Sequence, residues 1–267
     1  MAPAASTIGG KGLTKFLEFG LQGKVALVTG AGRGLGRSIA LALAHAGADI
    51  AVNGSNAAGL ASVAAEIKAM GRRVAEVPAD LSDVTLIGAM VKKAESALGP
   101  IDILVNNAGI NQVELSLDVE PETWDRLMGV NLRAPFFCAQ AVAGGMIERR
   151  RGKIINIASD AGIVGYAGHA AYGTTKGGLI QLTRILAVEW GPHNVQVNAI
   201  CPGATWSDMT TPAMQKPEIA KELLARGVAG RITDPEEIGA AAVFLASEAS
   251  NMIIGQALGV EGGSIAK

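Results

Sequence analysis

The feature that most constrains this chain is a regular alternation. Seven short apolar runs, at 24–29, 49–53, 73–77, 101–105, 153–157, 195–200 and 256–260, are separated by helix-length stretches at 34–46, 57–70, 83–98, 121–148, 172–190 and 235–247. Several runs, KVALVT and KIINI among them, are nearly continuous Val/Ile/Leu. That suits strands covered on both faces. Strand–helix alternation over the whole length predicts an α/β fold, a doubly wound seven-stranded parallel sheet with helices on both faces. No Pro/Ser/Gly-rich linker and no fixed-period repeat interrupts it. Residues 21–267 therefore read as one domain, preceded by an extension over residues 1–20 that has no apolar segment of the secretory kind.

Local punctuation agrees with these boundaries. Asp234-Pro235-Glu236-Glu237 reads as an N-cap, a proline at the first helical position and acids in the first turn, and Glu120-Pro121-Glu122 is similar. Gly47, Gly71 and Gly99 each follow a helical stretch, where a left-handed cap is expected. The longest irregular connection runs from Pro202 to about Lys216 and carries Trp206 and Met209, two apolar residues placed to cover a pocket.

Charge excludes several partners. Lys and Arg number 23 against 24 Asp and Glu, a balance that argues against nucleic acid or an anionic membrane and is compatible with self-association. No apolar run approaches membrane-spanning length. The two cysteines, Cys138 and Cys201, are far apart and suit a reducing, cytoplasmic setting. The three histidines, His45, His169 and His193, form no metal-ligand spacing, so no metal is expected.

The first strand ends at Thr29 and runs into Gly30-Ala31-Gly32-Arg33-Gly34-Leu35-Gly36 before a helix. Strand, glycine-rich turn, helix is the context in which backbone N–H groups hold a phosphate. The spacing is TGxxxGxG. It is not GxGxxG, and it narrowly misses a Walker A loop, because Ala31 and Arg37 stand where Gly and Lys are needed. A tight turn with glycines for packing alone is the plainer alternative. At the end of the second strand, Asn53-Gly54-Ser55-Asn56 offers no carboxylate for a ribose hydroxyl, while Arg33 offers a cation for a 2′-phosphate. This favours NADP, with NAD as the alternative and a merely solvated Arg33 as the bland reading. Asp80, after the third strand, suits either an adenine amine or a helix N-cap. Asn106-Asn107-Ala108-Gly109, after the fourth strand, lies either in the ligand crevice or in a side-chain-braced turn.

Only two tyrosines occur, Tyr166 and Tyr172. Tyr172 is followed four residues later by Lys176, so both share a helix face. An ammonium beside a phenol lowers its pKa towards working pH, as general acid–base chemistry requires. Ser159 ends the fifth strand, where its hydroxyl can hold a substrate oxygen, and the absence of GxSxG disfavours a serine hydrolase. Asn131 is either a satisfied core amide or part of a water-linked proton path. Asp160, Ala161, Ile163, His169, Trp206 and Met209 flank these residues as candidate pocket positions. His169 either meets a polar substrate or faces solvent.

Taken together, TGAGRGLG at 29–36, NNAG at 106–109, Asn131, Ser159, Tyr172-Gly-Thr-Thr-Lys176 and Pro202-Gly203 resemble the short-chain dehydrogenase/reductase family in order and spacing, over roughly residues 20–263. The branch is similar to gluconate 5-dehydrogenases, 2-deoxygluconate dehydrogenases and 3-oxoacyl-[acyl-carrier-protein] reductases. The resemblance implies a Rossmann fold, a homotetramer, and hydride transfer between NADP(H) and a ketone or secondary alcohol. It implies a tetrad of Asn131, Ser159, Tyr172 and Lys176. Tyr172 would exchange the proton, Ser159 steady the carbonyl oxygen, Lys176 lower the Tyr172 pKa and bind the ribose, and Asn131 hold a relay water. The implied coenzyme contacts are Gly30, Arg33, Gly34, Leu35, Gly36, Ser55, Asp80, Leu81, Asn107, Tyr172, Lys176 and Thr205. The family's PGxIxT stretch reads Pro-Gly-Ala204-Thr205-Trp206-Ser207 here, with Ser207 in place of Thr and Trp206 altering the pocket. The alternative function is a dinucleotide-binding sensor without turnover, and the Walker-like near miss leaves an ATPase as a third reading.

Overall fold

The computed structural model describes residues 19–207 and 210–267. Met209 and all but the last two residues of the expected extension lie outside the described residues. Seven strands, β1 (Val25–Val28), β2 (Asp49–Val52), β3 (Val74–Glu76), β4 (Ile103–Asn106), β5 (Gly152–Ile157), β6 (Val195–Pro202) and β7 (Ala257–Val260), form one parallel sheet in the order β3-β2-β1-β4-β5-β6-β7.

The apolar runs work as two-faced strands. Ala26, Val28, Ile103, Val105 and Ile155 face one layer of the core, which is shared with α1 (Gly34–His45), α2 (Ala57–Ala69) and α9 (Pro235–Ala246). Val25, Leu27, Leu104 and Ile154 face the other layer, shared with α3 (Ile87–Leu98), α5 (Ala134–Glu148) and α6 (Ala170–Trp190). Alternation along each strand thus buries both faces. Gly47, Gly71 and Gly99 take positive φ after α1, α2 and α3, although Gly99, with ψ −179°, is not a left-handed helical cap. Ahead of α9, the Glu237 carboxylate accepts the Asp234 N–H at 2.9 Å.

Two expectations need correction. The stretch 121–148 is not one helix: α4 (Pro121–Met128) gives way to a turn of π-helix over Gly129–Arg133 before α5. Pro135 has no N–H to donate to the carbonyl of Asn131, four residues back, and the widened turn accommodates that loss. The connection after β6 is also more ordered than expected. It holds a short α7 (Thr211–Met214), and an unforeseen α8 (Pro217–Arg226) follows it.

From β1 the chain moves to β2 on one side and later returns to β4 on the other. The strand order reverses between β1 and β4, and the crevice at the carboxyl ends of the strands there is where such sheets bind ligands.

Candidate active site

The glycine-rich turn is folded back on the loop after β4. Gly30 has φ +63°, and a Cβ there would lie 2.9 Å from the Ala108 Cα. A Cβ on Gly36 would collide with the Gly30 carbonyl and the Asn107 amide. Asn107 Nδ2 donates to the carbonyls of Thr29 (2.9 Å) and Gly30 (3.2 Å), and Thr29 Oγ1 accepts the N–H groups of Asn107 and Ala108. The side-chain-braced turn is therefore the reading realised for Asn107. Neighbouring Asn106 is buried and donates to Asn156 Oδ1 at 2.9 Å, tying β4 to β5 beneath the site. Arg33 occupies the N-cap of α1 without capping through its side chain, so the helix's first N–H groups are left for a ligand.

A Cβ on Gly59 would sit 2.7 Å from the Gly32 carbonyl, so the turn packs closely on the start of α2. This brings exposed Arg33 to the segment holding exposed Ser55. The other polar groups of that segment are committed elsewhere. Asn53 is buried and donates to the carbonyls of Val77 and Ala79, and Asn56 caps α2 by accepting the Ala58 and Gly59 N–H groups. Asp80 is exposed and accepts the Ser82 N–H at 2.9 Å in a local turn; it is not a helix N-cap, a place taken by Asp83 ahead of Val84–Leu86, while Leu81 is buried. On the far side of the crevice, the buried Thr205 donates to the Gly203 carbonyl, and Ser207 comes within 3.9 Å of where a Gly34 Cβ would be. The loop after β6 thus reaches across to the glycine-rich turn. Trp206 is partly exposed on it.

Ser159, Tyr172, Lys176 and Asn131 are brought together. The turn after β5 lies directly on the first turns of α6 because glycines permit it. A Cβ on Gly162 would fall 2.7 Å from the Lys176 carbonyl carbon, and one on Gly173 2.8 Å from the Ala161 carbonyl oxygen. Lys176 is buried, donates to the Ile157 carbonyl at 2.7 Å, and stands 5.7 Å from the Tyr172 ring centroid. Burial brings its ammonium down to about 8. Burial also pushes the half-buried Tyr172 phenol up to about 12; hydrogen bonding with Ser159 opposes the rise, and the Asp160 carboxylate adds to it. In this structure desolvation governs the phenol, and the neighbouring ammonium does not bring it towards neutrality.

Asn131 is completely buried. Its amide donates to the Ile110 carbonyl (2.8 Å) and Thr175 Oγ1 (3.2 Å) and accepts the Ile110 N–H (2.9 Å). The side chain is therefore a satisfied core amide that staples the loop after β4 to α6. The space between it and Lys176 is kept open by Gly109, whose Cβ would lie 3.3 Å from Asn131 Oδ1 and 3.5 Å from Lys176 Nζ.

The expected pocket residues divide. Ile163 is exposed and Ala161 half-buried. His169 is half-buried, with Nδ1 3.1 Å from the Ala167 carbonyl and its ring edge-on between Tyr166 and Tyr172 at 6.0 Å from each. It stands at the loop end just ahead of α6, one part in solvent and one against the two tyrosines. Asp160 is buried and accepts hydrogen bonds from Ser159, from Tyr166 at 2.9 Å and from Ser264 at 2.9 Å. Sequence reasoning assigned no role to Tyr166 or Ser264. The second tyrosine was a visible signal for one, whereas nothing local marks a serine 104 positions from its partner. Among the described residues no His/Cys/Asp/Glu group is arranged to hold a metal, and no helix is long and apolar enough to cross a membrane.

Residues 24–218 match the family described as short chain dehydrogenase. The chain is 42% identical to gluconate 5-dehydrogenase of Gluconobacter oxydans over 245 residues, covering 92% of this chain and 96% of that protein. It is 41% identical to 2-dehydro-3-deoxy-D-gluconate 5-dehydrogenase of Dickeya dadantii over 250 residues, covering 93% and 98%. A gluconate 5-dehydrogenase from Burkholderia cenocepacia, solved in complex with NADP and tartrate, superposes with a TM-score of 0.90 at 37% identity, covering 93% of this chain and 98% of that one.

Proposed function

The chain belongs to the short chain dehydrogenase family, and from that premise we propose that it interconverts a secondary alcohol and a ketone on a polyhydroxy acid of the gluconate type, using NADP(H). One observation carries the reading: Ser159, Tyr172 and Lys176 converge at the carboxyl edge of the sheet, beside a glycine-rich turn shaped for a pyrophosphate. As an enzyme acting on CH–OH groups the chain is an oxidoreductase, which sets aside the sensor and ATPase readings. Gluconate-type substrates are supported by the names of the two relatives, and NADP by the coenzyme in the Burkholderia structure.

The residues present fit this coenzyme. The close approach at Gly30 and Gly36 leaves backbone where side chains would block a pyrophosphate, the α1 N-terminus faces the turn, and Arg33 and Ser55 flank the position of a 2′-phosphate. Asn107 braces the glycine-rich turn and Thr205 the loop after β6, while Leu35 and Leu81 pack into the core and Asp80 into a local turn. When bound, the nicotinamide coenzyme would supply or take up the hydride.

The protein's own groups handle the oxygen and the proton. Tyr172 gives its phenolic proton to the developing alkoxide in reduction and takes it back in oxidation. Ser159 holds the same oxygen. Lys176, fixed by the Ile157 carbonyl, presents its remaining donors to the ribose and the gap beside Gly109. Asn131 acts as a positioning residue, because its amide is spent on Ile110 and Thr175.

Oxidation of gluconate, 2-dehydro-3-deoxygluconate, threitol and 3-hydroxybutyrate is to be followed with NADP+ and NAD+. Turnover of a sugar acid, faster with NADP+, is expected. Tyr172→Phe should lower kcat by about 10²–10⁴-fold. Failure to oxidise any sugar acid would remove the substrate assignment, and a Tyr172→Phe variant retaining a tenth or more of the rate would remove the proton-transfer role.

A further inference from the structure

His169 stands immediately ahead of α6, and its place is fixed from several sides. Its N–H donates to the Tyr166 carbonyl at 3.2 Å, and its carbonyl accepts the Gly173 N–H at 2.7 Å. The carbonyl of the preceding Gly168, a residue with φ +76°, accepts the Glu114 N–H at 2.9 Å, and a Cβ on Gly168 would lie 2.8 Å from Val113 Cγ1. The loop after β4 is thereby clamped on the entry to α6. The ring is held as well, edge-on between Tyr166 and Tyr172 at 6.0 Å from each.

The orientation of that ring decides what it offers. Nδ1 lies 3.1 Å from the Ala167 carbonyl, which only accepts, so Nδ1 carries a hydrogen. In the neutral ring Nε2 then presents a lone pair, and it makes no hydrogen bond among the described residues. The other polar groups near the phenol are committed. Tyr166 gives its proton to the Asp160 carboxylate, which also takes that of Ser264, and the Asn131 amide is spent on Ile110 and Thr175. Lys176 is tied to Ile157 and serves the ribose, while Ser159 and Tyr172 hold the reacting oxygen. A polyhydroxy acid brings further hydroxyls on the carbons beside the reacting one. Nε2 of His169 is an acceptor set beside the phenol to meet one of them.

We propose that His169 is a specificity-determining residue: its Nε2 accepts a hydrogen bond from a substrate hydroxyl next to the reacting carbon, so the site selects vicinal diols over simple secondary alcohols. This rests on the function proposed above and adds to it which feature of the substrate is read, and by which atom. The clamped backbone and the Nδ1 bond hold the ring ready before substrate arrives, so little ordering is left to oppose the contact.

Two variants divide the ring's contacts between its nitrogens. His169→Asn puts an amide where Nδ1 lies and keeps the bond to Ala167; His169→Gln puts one where Nε2 lies. For the vicinal diol that the screen shows to be oxidised, kcat/KM should fall by about tenfold in His169→Asn, through KM, and stay within about threefold of wild type in His169→Gln. A histidine that only braces its loop gives the reverse order, and that order, or equal values, would overturn the proposal. So would a wild-type preference for 3-hydroxybutyrate, which has no hydroxyl beside its reacting carbon. A second measurement needs no turnover. Histidine labelled with 15N gives signals from three rings, and the His169 signals are those lost in His169→Gln. In the Tyr172→Phe protein with bound NADP+, gluconate or threitol should move the His169 Nε2 resonance and 3-hydroxybutyrate should not. A screen in which nothing is oxidised defeats the proposed function. An Nε2 resonance unmoved by both polyols defeats the assignment of His169, whatever the screen returns.

Discussion

Lys176 is buried in the site and Lys153 in β5, and burial brings each down to about 8 from an ordinary 10.5. Between those values the unfolded chain holds more protons than the folded one, so stability rises with pH. The gain ends from about pH 9, because burial raises Cys138 and Tyr172 to about 12 and Cys201 to about 11, and these groups keep protons that the unfolded chain releases. The urea midpoint of the protein without coenzyme should therefore rise between pH 7 and 9. Lys176→Met should show a smaller rise, since only Lys153 still contributes; an equal rise in the two proteins would contradict the cost assigned to Lys176. At this scale the sequence was informative where chemistry follows local spacing. Tyr172 and Lys176 stand four apart on one helix, and the glycines of residues 30–36 mark a turn. It was silent where partners meet only in the folded chain, as Ser264 meets Asp160. It was silent also on Asn53, whose amide nitrogen is tied to the carbonyls of Val77 and Ala79.

Among elements, the turn after β5 and the start of α6 fix the distance between Ser159 and Tyr172, and Gly162 sets it. Gly162→Ala would put a methyl group 2.7–2.9 Å from three backbone atoms of Lys176 and Gly177, so the turn must move off the helix. A displacement of the order of 1 Å predicts a loss in kcat of about 100-fold, with NADP affinity within about twofold. Unchanged kcat would show that this contact does not set the geometry. All seven strands and the helices flanking them were legible, because burial on both faces writes continuous apolar runs and because proline, acid and glycine mark the ends. The π turn was legible only through Pro135, inside an otherwise regular helical stretch. Helix α8 left a trace that went unread: Pro217-Glu218 marks its start as the same pair marks α4 and α9, and Ile219, Leu223 and Leu224 recur at helical spacing, although none of its residues is buried.

At the scale of the whole molecule, the outer face of α6 exposes Val188 (77%) and Ile185 (46%), three residues apart and so on one side of the helix. We propose that this face meets another copy of the chain in a homotetramer. Sedimentation should give four times the monomer mass, and Val188→Asp should give a smaller species; a wild-type monomer would rule the assembly out. The strand order has a separate consequence. Everything that would discriminate one dinucleotide from the other, from the glycine-rich turn to Ser55, is built before the chain crosses from β3 to β4, and every group that would touch the reacting bond comes after it. A lineage with this architecture can change the electron carrier it draws on by editing the first third of its gene, and can acquire a new metabolite by editing the remainder, with neither change having to await the other.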